Sequence, residues 1–83
     1  MEPEVAFGQV LRGIRKRRHL SQEQLALEAG LERNYVSLLE LGRNSASVRT
    51  VFKLAEALSV SVSEFMAQVG AKVNEAKEAS QRK

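Results

Sequence analysis

Cysteine, aspartate and tryptophan are absent from this chain, and histidine occurs once, at His19. Without cysteine there is no disulfide staple and no thiolate metal site. With one histidine and neither aspartate nor cysteine, no Ser/His/Asp or Cys/His catalytic set can be assembled within the chain. Zinc would lack ligands on the same inventory. The acids are all glutamates and fall where helix surfaces are expected, so no enzymatic role is read. Nothing in the inventory implies a cofactor, a metal or a small-molecule ligand. No apolar run approaches the roughly 18 residues of a membrane span. The start, Met1-Glu-Pro-Glu, is acidic and lacks an apolar segment behind a basic one. That argues against a secretory signal, and a reducing cytoplasm suits the chain.

What is present points to one small domain. The chain has 83 residues, 43% of them hydrophobic and only 5% aromatic. Its core must therefore be built from Leu, Val, Ala and Phe, the material of a helical bundle. The net charge is +3, but its distribution is uneven. Between Val5 and Lys53 lie nine basic residues against four glutamates. Such clustering fits polyanion binding, and it equally fits a solvated helix face.

Apolar residues recur at helical spacing: Phe7, Leu11 and Ile14; Leu25, Ala26 and Ala29; Val36 and Leu39; Val51, Leu54, Ala55 and Leu58; Phe65 and Val69. Ser21 with Gln24, and Ser61 with Glu64, have the form of capping boxes, each stapled by flanking apolar residues. Ser47 caps another helix, while the cap position before Arg33 falls on Glu32, a weaker choice. The pattern predicts an all-α fold of five helices, near 5–18, 22–29, 33–41, 48–58 and 62–69. Residues 1–69 form the expected domain. Residues 70–83 are expected as a polar tail or as an extension of the fifth helix.

The segment 22–41 carries the functional signal. Ala26 is small where the next helix crosses closely. Gly30 stands where a tight turn needs positive φ. Val36 and Leu39 turn the following helix inward, leaving Arg33, Asn34, Ser37, Leu38 and Leu41 outward. A helix held this way can enter a major groove.

Here the chain resembles the phage-repressor (Cro/CI, or XRE) helix-turn-helix family, with its compact lambda-repressor-like fold. The matching stretches include Phe7-Gly8, Leu11-Arg12, Ile14-Arg15, Leu20-Ser21-Gln22, Leu25-Ala26, Ala29-Gly30-Leu31, Tyr35-Val36-Ser37, Leu39-Glu40 and Leu54-Ala55-Glu56-Ala57-Leu58. The resemblance implies double-stranded DNA as the partner. It implies a phosphate contact from Gln22 and a structural ion pair between Arg15 and Glu40. Bases would be read by Arg33, Asn34, Ser37 and Leu38, with Glu32 at the edge. Arginine suits guanine and asparagine suits adenine in the major groove. Arg43 and Asn44 are expected on phosphates, and Tyr35 either on phosphate or sugar or simply packed. The basic run Arg15 to Arg18 has two readings, solvated helix end or DNA backbone contact. Departures from the family pattern are Glu32, Leu41, Ala46 and Ser59, where the family often has a glycine.

One such domain reads few base pairs, so a homodimer on a palindromic site is expected. Val62, Phe65, Met66 and Val69 are its candidate contacts, although not all of them can share one core face. Two functions stand. One is a transcriptional regulator, a repressor that blocks polymerase. The other is an interaction module, such as an antitoxin-type partner protein using the same fold.

Overall fold

A computed structural model describes residues 1–81 of the chain. Five helices follow one another: α1 (Pro3–Arg17), α2 (Gln22–Ala29), α3 (Arg33–Glu40), α4 (Val48–Ala57) and α5 (Val62–Gln81). Among the described residues there is no strand. No described helix is long and apolar enough to cross a membrane. No described group of three or more His, Cys, Asp or Glu residues is placed to hold a metal ion.

The core is the set of apolar stripes brought together. Leu11, Leu25, Val36, Leu39, Leu54, Leu58 and Phe65 are fully buried. Phe7 and Phe65 meet with ring centroids 5.0 Å apart and planes tilted by 41°. Tilted aromatic pairs of this kind add to burial by complementary ring electrostatics. α1 packs on α3 and α5, α2 packs on α3 and α4, and α4 on α5.

The turns between helices repeat one piece of chemistry. At the end of α2 the amide of Leu31 donates to the Ala26 carbonyl at 2.8 Å, and that of Gly30 to Leu27 at 3.3 Å. This paired closure is a Schellman motif, with Gly30 at φ 69°. α3 closes the same way: Arg43 donates to Leu38 and Gly42 to Leu39. α1 and α4 also do so, through Leu20 to Arg15 and Val60 to Ala55. At those two ends the left-handed residue is His19 or Ser59, each at φ 58°. Three of the four linkers then continue with an apolar residue and a cap: Leu20-Ser21, Leu31-Glu32 and Val60-Ser61. The apolar residue tucks against the core, and the cap starts the next helix at once. Steep helix crossings follow from linkers this short.

A non-glycine residue held in the left-handed region costs about 1 kcal/mol or more. Ser59→Gly removes that strain, and part of the gain is offset by the freer unfolded chain. We expect a net stabilisation of about 0.5 kcal/mol. It would be read as a higher denaturant midpoint with an unchanged m-value.

The serine caps form as the sequence predicts. Ser21 Oγ accepts from the Gln24 amide at 3.0 Å, and Gln24 Oε1 accepts from the Ser21 amide at 2.8 Å. Ser47 and Ser61 accept from the amides of Thr50 and Glu64, but the Glu64 side chain returns no bond to the Ser61 amide, so the second expected capping box is half formed. Glu32 makes no side-chain cap bond to α3. Of the two readings for the far end, a polar tail or an extension of the fifth helix, the described residues take the second. Residues 70–81 do not form a polar tail; α5 continues through Gly70 as a helix to Gln81. Val73 packs against the core cluster and anchors the first turn of that extension. Arg82 and Lys83, the rest of that segment, lie outside the described residues.

Candidate DNA interface

α3 is held to the bundle at both ends of its inner face. Val36 and Leu39 are fully buried, and Tyr35 rests half-buried against the core. Near the other end Gly8 of α1 lies directly against the carbonyls of Leu39 and Glu40. A Cβ at residue 8 would stand 2.6 Å from the Glu40 carbonyl oxygen and closer still to that of Leu39. Only a glycine lets the two backbones approach so far.

That approach places Arg15 beside Glu40. Arg15 Nε donates to Glu40 Oε2 at 2.6 Å, and its Nη2 to Oε1 at 2.9 Å. Its remaining Nη1 donates to the Leu20 carbonyl at 2.8 Å. The planar guanidinium thus clamps the end of α3 and the end of α1 together. The hydrogen bond to Glu40 raises the Arg15 pKa above its ordinary value, outweighing the burial that lowers it. Arg15, expected as one half of an ion pair, is engaged inside the fold by these three bonds.

The side chains left over form the outward arc of α3. Arg33 and Asn34 are exposed at its first turn, with exposed Glu32 just before them. Ser37 and Leu38 follow on the same arc, half-buried, and Leu41 is 60% exposed at the end. Arg33, Asn34 and Ser37 line one shallow depression together with Gln22. Three of the expected base readers therefore share one surface with Gln22, one of the expected phosphate contacts. Gln22 carries an added constraint, because its Nε2 donates to Glu40 Oε1 at 3.1 Å. Glu40 thus fixes both the guanidinium behind it and the amide in front of it. The second N–H of that amide stays free of Glu40.

Arg43 and Asn44 are exposed in the loop after α3. The basic run at the end of α1 splits apart. Arg15 is buried, Arg18 donates to the Ser59 carbonyl at 3.1 Å, and Lys16 and Arg17 are exposed. Sequence reasoning passed over Arg12. It lines a second depression with Arg15, Gln22, Ser37, Glu40 and Leu41, adjoining the first at Gln22 and Ser37, which line both. Its spacing held the signal: one turn before Arg15 on α1, it follows the same flank toward α3.

The expected dimer contacts need correcting. Phe65 is fully buried and Val69 is 4% exposed, so both belong to the chain's own core. The period of α5 places Phe65, Val69 and Val73 on its inner stripe. Met66 is 42% exposed and Val62 is half-buried beside them. Further exposed apolar residues stand on α4: Val48 at 75% and Phe52 at 58%, one turn apart.

Comparison with known proteins agrees with this architecture. The helix-turn-helix family model HTH_3 matches residues 11–65. The control protein C.BamHI of Bacillus amyloliquefaciens is 42% identical over 55 residues, covering 65% of this chain and 68% of that protein. The immunity repressor protein of Bacillus phage phi105 is 41% identical over 59 residues, 71% of this chain and 41% of the repressor. Among solved structures, the restriction-modification controller protein C.AhdI from Aeromonas hydrophila superposes with a TM-score of 0.73. It is 44% identical, and the match covers 75% of this chain and 94% of that one. The chain belongs to the XRE (Cro/CI-type) helix-turn-helix family, whose members are DNA-binding transcriptional regulators and not enzymes.

Proposed function

We propose that this protein binds a specific duplex DNA site as a homodimer and represses transcription by occupying that site in the cytoplasm. The observation that carries this reading is the outward arc of α3. It is an eight-residue helix whose inner face is fully committed and whose outer face presents Arg33, Asn34, Ser37 and Leu38. Residues 1–69 supply this reading unit, and the rest of α5 extends it.

The chemistry follows from the side chains. The Arg33 guanidinium donates bidentately to guanine O6 and N7, and the Asn34 amide pairs with adenine N6 and N7. Ser37 is short enough to reach a base edge, and Leu38 meets a thymine methyl. Glu32, exposed and free of any capping bond, accepts from cytosine N4. Gln22, Arg43 and Asn44 hold phosphates, which fixes register without reading sequence. Tyr35 contributes its accessible edge to the same backbone track.

One helix of this length reads too few base pairs for a genome. Two copies on an inverted repeat place two recognition helices roughly 34 Å apart. The surface best suited to joining them is the exposed apolar face of α4 and α5. There Met66 lines an apolar cleft with Phe7, Ala46, Val51 and Val69, and Val48 and Phe52 stand exposed one turn apart on α4. A dimer bound across a promoter excludes polymerase, which makes repression the expected sign.

Phe52→Glu tests the dimer. Because Phe52 lies mostly outside the core, the helical circular dichroism should stay unchanged. Sedimentation equilibrium should show a dimer for the wild type and a monomer for the variant, with operator binding lost. A wild type that stays monomeric at tens of micromolar while binding its operator would remove the dimer from this account.

A further inference from the structure

We infer that Arg12 of α1 is a DNA-phosphate-binding residue, seated across a shared depression from Gln22. The inference rests on the DNA-binding reading above. Its starting point is an electrostatic imbalance at Gln22. A phosphate held by the Gln22 amide lies next to Glu40, whose carboxylate is 3.1 Å from the same nitrogen. Arg15 neutralises that carboxylate, and each of its three nitrogens already donates, to Glu40 or to the Leu20 carbonyl. The pair together contributes no net charge. Arg33 lines the neighbouring hollow and is assigned to a base; in the hollow that holds Glu40, the neutral pair leaves nothing to offset the approach of a second anion.

Besides Arg15, which Glu40 neutralises, Arg12 is the cation lining that hollow. It lines the same hollow as Gln22, Ser37, Glu40 and Leu41. It is exposed, and no described residue makes a salt bridge or side-chain hydrogen bond with it. Its fork of donors is therefore available for two phosphate oxygens at once. The hollow adjoins the one lined by Arg33 and Asn34, since Gln22 and Ser37 line both. A DNA strand whose bases face Arg33 and Asn34 thus passes its backbone over Gln22 and Arg12 in turn. Exposed Leu41 also lines this hollow, an apolar surface of the kind that deoxyribose can lie against.

Salt titration of binding tests this, using a mixed-sequence duplex and the selected operator, for wild type, Arg12→Ala, Arg12→Lys and Lys77→Ala. Each phosphate contact contributes about 0.9 to the slope of log affinity against log salt. Arg12→Ala is expected to lower the slope by about that amount on both duplexes, which is about an eightfold loss at 0.1 M salt. Arg12→Lys should recover most of it, and Lys77→Ala, on the α5 extension, should leave the slope alone. An Arg12→Ala variant with wild-type slope overturns the assignment, as does a loss confined to one base sequence. A drop of the same size in Lys77→Ala overturns it too, by showing a general charge effect. Failure of the wild type to bind any duplex at low salt would strike the DNA-binding reading itself, a distinct result.

Discussion

Glu40→Ala is expected to cost about 3–5 kcal/mol of folding stability, the usual penalty for removing one partner of a buried ion pair. The Arg15 side chain is 11% exposed and that of Glu40 only 3%. Removing the carboxylate leaves a guanidinium with two of its donors facing a void. Domains of this size hold only about 5–15 kcal/mol in total, so the variant should be near its folding limit at 37 °C. The pair itself is not expected to beat an apolar replacement, because desolvation cancels most of its attraction. The double variant Arg15→Met with Glu40→Leu should therefore regain most of the lost stability. It should not regain full DNA affinity, because the Gln22 amide loses the acceptor that orients it. Denaturant titration and operator binding measured on the same samples separate the two effects. The guanidinium side of the pair gives no pH switch near neutrality. Its folded pKa is raised further above an ordinary value that is already strongly alkaline, so its contribution is complete throughout the neutral range and is lost only in strong alkali.

Gly8→Ala should destabilise by roughly 3 kcal/mol, against the direction that helix propensity alone predicts. In an unobstructed helix interior, replacing glycine by alanine gains about 1 kcal/mol. At residue 8 the added carbon meets the Leu39 and Glu40 carbonyls, which are backbone and cannot swing aside. α1 and α3 must separate, and the Arg15–Glu40 geometry goes with them. Gly70 supplies the contrast. It is also inside a helix, α5, but nothing lies within 4 Å of its missing side chain. Gly70→Ala should therefore stabilise by about 0.5–1 kcal/mol. The same chemical change with opposite signs isolates close helix approach as the cause. Equal effects at the two positions would refute it.

Much of this was legible before any coordinates, for reasons that differ by residue. Ser21, Ser47 and Ser61 announce helix starts because a short side-chain oxygen satisfies amides that nothing local can. Gly30 announces a turn because its φ is easy only for glycine. His19 and Ser59 occupy the same left-handed positions without any such mark, since tertiary closure imposes a conformation that their side chains do not advertise. Gly70 misled in the opposite direction: it reads as punctuation but sits in an uninterrupted helix. α5 has apolar neighbours at Phe65 and Met66, so composition alone could not say which of them faces inward. Packing against Phe7 decides it, and Phe65 is taken from the dimer surface into the core. Arg12 was missed because its importance comes from sharing a hollow with Gln22, Ser37 and Leu41, residues of other elements that no local pattern connects to it.

The base-reading face is the central claim, and base-specific binding tests it most directly. Sites would be selected from random duplex DNA, then rebound by wild type and Arg33→Ala against every single-base variant of the selected half-site. The account predicts that wild type prefers guanine at one position by roughly 10- to 100-fold. Arg33→Ala should lose that preference while keeping the others, and replacing that guanine by 7-deazaguanine should weaken wild type but not the variant. If Arg33→Ala instead weakens binding to all sequences alike and leaves every base preference intact, α3 does not read DNA in the way proposed.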